Sequence, residues 1–205
     1  MSLFPIFVKL EGRLLVLVGG GNIAEAKIPG VLNSGAHIRL IAPSITPQIG
    51  EWARFGKIEW LPKVFEAADL DGAFLAIAAT SAAGVNEAVF REAEARGILC
   101  NAVDDIEHCH FYYGAVVQRG DLQIAISTNG KSPSLAQRLR QEFEAQFGPE
   151  YEVWLEWLGA AREALRSNGP SSDTTKRLLH ELASRSMFER FVREAQRRPG
   201  HRGAA

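Results

Sequence analysis

The run Leu14-Leu15-Val16-Leu17-Val18 passes straight into Gly19-Gly20-Gly21, and no other stretch restricts the fold of this chain so sharply. Apolar residues without polar alternation suit a strand covered on both faces, the condition of a parallel strand inside an α/β sheet. Three glycines permit a tight turn, and the spacing from Asn22 to Ser34 is helical, with Gly35 as its stop. Strand, glycine turn and helix form the first half of a βαβ unit. The chain is therefore expected to build an open α/β fold, a parallel sheet with helices on both faces.

The pattern then repeats. Ala36–Ala42 reads as a strand, Thr46–Phe55 as a helix stopped by Gly56, and Lys57–Leu61 as a short strand. Asp71-Gly72 is a turn pair introducing the apolar run Ala73–Ala79. Val85, Ala88, Val89 and Ala93 recur at helical spacing up to Gly97, and Ile98–Val103 is the last strand of the series. After Phe111 the alternation ends. Ala115–Gln118 and Leu122–Ile126 flank Arg119-Gly120-Asp121 as an antiparallel hairpin, and Ser132-Pro133 opens a helix carrying Leu135, Leu139 and Phe143. A two-stranded hairpin is marginal alone in water, so it must extend another sheet or meet a second copy of the chain, which implies a homodimer.

From Gly148-Pro149 onward the reading is helical. Trp154, Leu155 and Leu158 mark one helix, Thr174–Leu182 and Met187–Ala195 mark others, Ser167–Ser172 is a loop, and Arg197–Ala205 is a frayed tail. The expected division is residues 1–113 for the α/β domain, 114–147 for a small α+β dimerisation segment and 148–205 for a helical C-terminal region.

Charge narrows the partners. With 23 basic against 24 acidic residues, the chain lacks the basic excess of a general nucleic-acid binder. A local patch can still hide in a neutral total: between Gln118 and Arg140 stand Arg119, Lys131, Arg138 and Arg140, against Asp121 alone. Two cysteines, Cys100 and Cys109, cannot form a disulfide framework. No segment approaches the roughly 18 to 20 apolar residues of a membrane helix, and the start Met1-Ser2-Leu3-Phe4-Pro5 lacks the regions of a signal peptide. A cytoplasmic location without membrane attachment is the expectation.

Gly19-Gly20-Gly21-Asn22-Ile23-Ala24 fits G-x-G-x-x-A at the junction of strand and helix, which lets phosphate oxygens approach backbone N–H groups at the positive helix end. Gly19 and Gly21 are thus candidate contacts of a dinucleotide; the alternative is a tight turn with no ligand. The acidic residue that usually holds the adenine ribose is missing, because the second strand ends in Ile41-Ala42-Pro43-Ser44. Backbone groups and Ser44 would have to serve instead, and no Arg follows the strand to favour NADP.

Thr80 and Asp104 each stand just beyond a strand's C-terminal end, where ligand crevices form in open α/β sheets. Asp104 is the candidate to meet a nicotinamide and a substrate, with a loop or helix cap as the alternative. His108-Cys109-His110 is too weak a cluster to read as a metal site, and Cys100 reads as a core residue. The stretch Ser127-Thr128-Asn129-Gly130-Lys131-Ser132-Pro133 offers amides, hydroxyls and Lys131 to a carboxylate or phosphate; the alternative is a Ser-capped helix after a turn.

Taken together, these residues resemble the precorrin-2 dehydrogenase / sirohydrochlorin ferrochelatase family of siroheme biosynthesis. The resemblance rests on Phe4-Pro5-Ile6-Phe7, Val18-Gly19-Gly20-Gly21, Ala24 with Lys27, Ala76-Ile77-Ala78-Ala79-Thr80, Val85-Asn86, Asn101-Ala102-Val103-Asp104 and the Ser127–Pro133 stretch. It implies a Rossmann-type cofactor domain and NAD-dependent oxidation of precorrin-2 to sirohydrochlorin, with ferrous iron insertion in many members. It implies further that Asp104 is the general base, that Asn22, Ile23, Pro43 and Ser44 contact NAD, and that Thr128 belongs to a substrate loop with Asn129, Gly130, Lys131 and Ser132. A homodimer built through the segment after the Rossmann domain is implied as well.

The chain departs from the family pattern at Ala26, at Pro29 inside the first helix, at Ser81-Ala82 and at Tyr113-Gly114. It ends without a methyltransferase domain, so precorrin-2 is expected to reach it ready-made. Two other classes compete. A dinucleotide-sensing regulatory module would commonly keep the acid after the second strand, absent here. A structural dimer that has lost catalysis would keep the fold alone.

Overall fold

The computed structural model describes residues 3–168 and 172–197. The chain forms two compact units that divide between Tyr112 and Tyr113. In the first, β1 (Leu14–Val18), β2 (His37–Ile41), β3 (Glu59–Leu61), β4 (Leu75–Ala78) and β5 (Leu99–Ala102) make one sheet in the order β3-β2-β1-β4-β5. Every pairing is parallel, so the apolar run that opens the domain is its central strand.

Successive strand side chains point to opposite faces, and each face has its own core. Leu15, Leu17, Ile38, Leu40, Leu75 and Ile77 pack with Ala24, Ile28 and Val31 of α1 (Asn22–Asn33) and Ile49 of α2 (Pro47–Arg54). Val16, Val18, Ile41, Ala76, Ala78, Cys100 and Ala102 pack on the other side with Leu70 and with Val89, Phe90 and Ala93 of α3 (Ala83–Ala95). Both faces of β1 are therefore covered, which is why it carries no polar alternation. Pro29 stands on the exposed side of α1, which stays one helix from Asn22 to Asn33.

Two 3-10 turns, Ala67–Leu70 and Ile106–His108, are absent from the sequence reading. The first is closed by a reciprocal cap, in which Glu66 N–H donates to Asp69 Oδ2 at 2.9 Å and the Glu66 side chain accepts from the backbone of Asp69.

In the second unit, β6 (Ala115–Arg119) and β7 (Leu122–Ile126) form a separate two-stranded antiparallel sheet. Arg119 pairs with Leu122, leaving the two-residue turn Gly120-Asp121, whose first position has φ of 55° and so favours glycine. The hairpin packs on α4 (Pro133–Gln146) and α5 (Glu150–Asn168), and among the described residues no third strand joins it. Val117 is buried while Val116 on the opposite face is exposed. Along α4, Leu135 is exposed and Leu139 and Phe143 are half-buried, so the expected apolar stripe is only partly covered within the unit.

Phe147, Tyr151, Trp154 and Phe188 form an aromatic cluster that joins α5 to α7 (Arg185–Arg197), with α6 (Ser172–Leu182) between them in sequence. Ser167 and Asn168 close α5 rather than opening a loop, and the rest of the loop expected at Ser167–Ser172, residues 169–171, lies outside the described residues. Of the tail expected at Arg197–Ala205, Arg197 ends α7 and residues 198–205 lie outside them too. No helix among the described residues is long and apolar enough to cross a membrane.

Candidate functional site

The strand order reverses between β1 and β4, and the connections leaving those strands run to opposite faces of the sheet. That leaves a crevice beyond their C-terminal ends. It has a volume of about 740 Å³ and is lined from β1 by Gly19, Gly20 and Gly21 with Asn22 and Ile23. Pro43 and Ser44 line it beyond β2, Lys63 beyond β3, and Thr80 beyond β4. Gly19, Gly21, Asn22, Ile23, Pro43, Ser44 and Thr80, the positions singled out for a cofactor, thus share one crevice within one unit.

The three glycines differ in what forbids a side chain. Gly19 has φ of 121°, and a Cβ there would overlap the carbonyl oxygen of Ala79. A Cβ on Gly20 would overlap the carbonyl oxygen of Ser44, and the Gly20 carbonyl accepts from Thr46 N–H at 3.0 Å. Gly21 is another matter. Its backbone is extended (φ −87°, ψ −173°), and a Cβ would meet nothing within 4 Å. Packing therefore does not exclude a side chain at Gly21, as it does at Gly19 and Gly20.

Gly21 is also the N-cap of α1 and supplies no side-chain acceptor, leaving the first amides of the helix unpaired by any cap. Unpaired N–H groups, positive helix end and open space converge on one point, which suits a pyrophosphate. These residues fit a dinucleotide, and none of them requires a metal.

The far wall is fixed by a residue the sequence reading did not rank as functional. Asn86 on α3 is buried; its Oδ1 accepts from Thr80 N–H at 3.1 Å, and its Nδ2 donates to the Thr80 carbonyl at 3.0 Å. The Thr80 hydroxyl is 2.8 Å from Asn86 Oδ1 and accepts from Ala82 N–H at 3.2 Å. The sequence signals for this clamp were an Asn among the apolar positions Val85, Val89 and Ala93 and the Val85-Asn86 pair within the family resemblance.

Asp104 does not line the crevice but stands beside its rim. Ala78 of β4 pairs with Ala102 of β5, and Val103 N–H donates to the Ala78 carbonyl at 2.8 Å, so Asp104 follows β5 where Thr80 follows β4. It is exposed and has φ of 62°, a left-handed conformation that Asp and Asn adopt more readily than other side chains. Half-buried Lys27 of α1 faces it: burial lowers the lysine pKa, while the charges of Asp104 and Cys109 act in the opposite sense.

The neighbouring His108, Cys109 and His110 are each tied locally. His108 Nδ1 is 2.6 Å from Asp105 Oδ2, Cys109 Sγ donates to the carbonyls of Ala102 and Asp105, and His110 Nδ1 accepts from Cys100 N–H at 3.0 Å. Among the described residues no cluster of three His, Cys, Asp or Glu could hold a metal. Burial pushes the Cys100 thiol up to about 12, as expected of a core residue.

In the second unit, the Thr128–Ser132 loop closes on itself. Thr128 Oγ1 donates to the Ser132 carbonyl at 3.1 Å and accepts from Ser132 N–H at 3.2 Å, while Asn129 and Gly130 take φ of 54° and 74°. Ser132 caps α4, its Oγ accepting from Leu135 N–H at 3.2 Å. The basic patch expected around it is mostly cancelled. Arg138 pairs with Glu142 and Arg140 with Glu144, while Arg119 donates to the Phe147 and Glu144 carbonyls at the end of α4. Lys131 has no ion pair among the described residues.

The NAD(P)-binding family model matches residues 6–115, and the model described as sirohaem biosynthesis protein central matches residues 119–146. The chain is similar to "Siroheme synthase 1" of Serratia proteamaculans, 38% identical over 173 residues, which cover 82% of this chain and 36% of that protein. It is also similar to "Siroheme synthase" of Photorhabdus laumondii, 36% identical over 196 residues, covering 96% and 42%. The chain thus spans about two fifths of the length of these curated relatives. Among solved structures, "SirC, precorrin-2 dehydrogenase" superposes with a TM-score of 0.77 at 27% identity, covering 96% of this chain and 100% of that one.

Two outcomes follow from the site. Gly21→Ala is expected to lose at most about 1 kcal/mol of stability, the N-cap preference of Gly over Ala, while losing on the order of tenfold in NADH affinity, read by fluorescence titration; Gly20→Ala is expected to lose more stability, about 1–3 kcal/mol. The hydrogen bond from His108 holds the Asp105 carboxyl below its ordinary value. A depressed carboxyl contributes stability above its unfolded value, about 3.9, and loses it as pH falls through the folded one. Amide protection over Ile106–His110, taken relative to the intrinsic exchange rate at each pH, is therefore expected to fall on acidification through the carboxylate range, and Asp105→Asn to remove that dependence.

Proposed function

The chain belongs to the precorrin-2 dehydrogenase / sirohydrochlorin ferrochelatase family of siroheme biosynthesis, and from that premise we propose that it oxidises precorrin-2 to sirohydrochlorin with NAD. The observation that carries this reading is Gly21, a glycine with open space where a Cβ would stand, beside uncapped helix amides. Bound NAD would supply the two-electron oxidant. The chain's own groups do the rest.

In this reading the amides at Gly21, Asn22 and Ile23 hold the pyrophosphate, Gly19 lets β1 close tightly on β4, Pro43 and Ser44 bound the ribose, and Thr80 borders the reactive ring. Asp104 is the general base, taking a proton from the substrate as the electron pair leaves it. An exposed carboxylate held out from the sheet by a left-handed turn is free to reach a large flat substrate, and Lys27 would balance its charge. The same carboxylate would receive pyrrole N–H protons if ferrous iron, as substrate, enters sirohydrochlorin in a second reaction giving siroheme. Thr128, Asn129, Gly130, Lys131 and Ser132 are proposed to meet the substrate's carboxylates, with Lys131 as the available cation and the left-handed Asn129-Gly130 pair shaping the loop.

A homodimer, a working division at 1–113, 114–147 and 148–205, and a cytoplasmic location complete the proposal. The dimer is supported by the unextended hairpin and by the exposed Val116 and Leu135.

Anaerobic incubation with precorrin-2 and NAD is expected to give sirohydrochlorin absorbance and NADH in equal amounts. Failure to produce NADH would overturn the dehydrogenase reading. Asp104→Asn preserves the left-handed turn and is expected to lower turnover by about 10²–10⁴-fold, so undiminished turnover would mean another group is the base. Sedimentation at micromolar concentration is expected to give twice the 22.5 kDa chain mass, and a monomer would contradict the dimer.

A further inference from the structure

The crevice wall beyond β3 carries a charge arrangement that the cofactor reading has not used. In this type of sheet the ribose of the adenosine half lies at the end of β2, where an acid reads its hydroxyls in NAD sites and an Arg takes the 2′-phosphate in NADP sites. Here β2 ends without either. The β2–β3 register supplies a substitute: Ile41 pairs with Leu61, Ala42 N–H donates to the Leu61 carbonyl at 3.3 Å, and Trp60 Nε1 donates to the Ala42 carbonyl at 3.0 Å. The chain leaving β3 is thereby held against the chain leaving β2, and Lys63 comes to line the crevice beside Pro43 and Ser44. Among the described residues lining the crevice it is the only cation.

Lys63 is not an available cation, however. Its Nζ lies 2.7 Å from Glu66 Oε2 and 3.0 Å from Asp69 Oδ1. The Asp69 side chain is 7% exposed and its other oxygen is held by Glu66 N–H, so the carboxylate is fixed in place. Three charged groups at this corner therefore sum to a net negative charge. A ribose hydroxyl could share a hydrogen bond with Lys63, but a 2′-phosphate dianion reaching Lys63 would meet an ammonium already held by two carboxylates that lie behind the crevice lining and leave this corner net negative.

We propose that the Lys63–Glu66–Asp69 cluster is the specificity-determining element for the adenosine ribose, admitting NAD and rejecting NADP through its two carboxylates. The cluster does what the missing acid after β2 does elsewhere, from a neighbouring strand. The proposal rests on the dinucleotide reading of the crevice and is independent of the tetrapyrrole substrate.

Binding alone tests it, with NADH and NADPH as fluorescent probes and no turnover required. Wild type is expected to bind NADH at least about tenfold more tightly than NADPH. Glu66→Gln keeps an oxygen for the 3-10 turn's cap and removes one charge, so it is expected to narrow that ratio by about three- to tenfold, in a salt-sensitive way. Adding Lys63→Met to Glu66→Gln is expected to cancel the gain. Thermal melts of both variants show whether they are folded, and Glu66→Lys, which adds a cation at an exposed position, is expected to move the ratio in the same direction as Glu66→Gln. Equal affinity of wild type for both cofactors would overturn the proposal, as would a ratio that neither Glu66 variant moves. Binding of neither cofactor would instead overturn the dinucleotide reading beneath it.

Discussion

Close backbone contact at the end of β1 is the constraint on which the first unit depends. Gly19 lies against the Ala79 carbonyl and Gly20 against the Ser44 carbonyl, so the ends of β1, β4 and β2 meet with no side chain between them. Only because two glycines are consumed by packing does the third become informative. Gly21 has room for a side chain and lacks one, and the helix it caps begins with amides no protein group receives. The fold's tightest point and its most open one are thus adjacent residues. That adjacency is what the proposed pyrophosphate site rests on.

The α/β sheet was legible because its signals are local. Burial on both faces makes β1 continuously apolar, and glycines follow each of the first three helices at Gly35, Gly56 and Gly97. Strands β2 to β5 were read a residue or two too long at an end, as with Ala36–Ala42 against His37–Ile41, while β1 and β7 match their observed bounds. The 3-10 turns were not legible: their caps, Glu66 with Asp69 and Asp105 with His108, are side-chain contacts rather than a periodicity. Crevice residues directly after β1, β2 and β4 could be named in advance. Lys63 could not, since its position depends on the β2–β3 register.

Charge was the weakest guide when counted over a window. Residues 118–140 read as basic, yet the glutamates that pair with Arg138 and Arg140 lie just past the window at 142 and 144, one helical turn on. Arg119 is engaged by carbonyls at the end of α4, which no sequence spacing announces. What remains of the patch is Lys131 in a loop braced by Thr128 and Ser132, a smaller positive feature than the composition implied. Around Asp104 the reverse holds, for Lys27 comes from a distant helix to face it.

In the proposed complex the open space at Gly21 receives a dinucleotide pyrophosphate on the first amides of α1. Titration of isotopically labelled protein with NAD, followed through its backbone amide resonances, tests this most directly. The largest shifts are expected on Gly21, Asn22, Ile23 and Thr80, saturating together at one stoichiometric equivalent. Saturable binding that left those amides unmoved while shifting resonances elsewhere would contradict it.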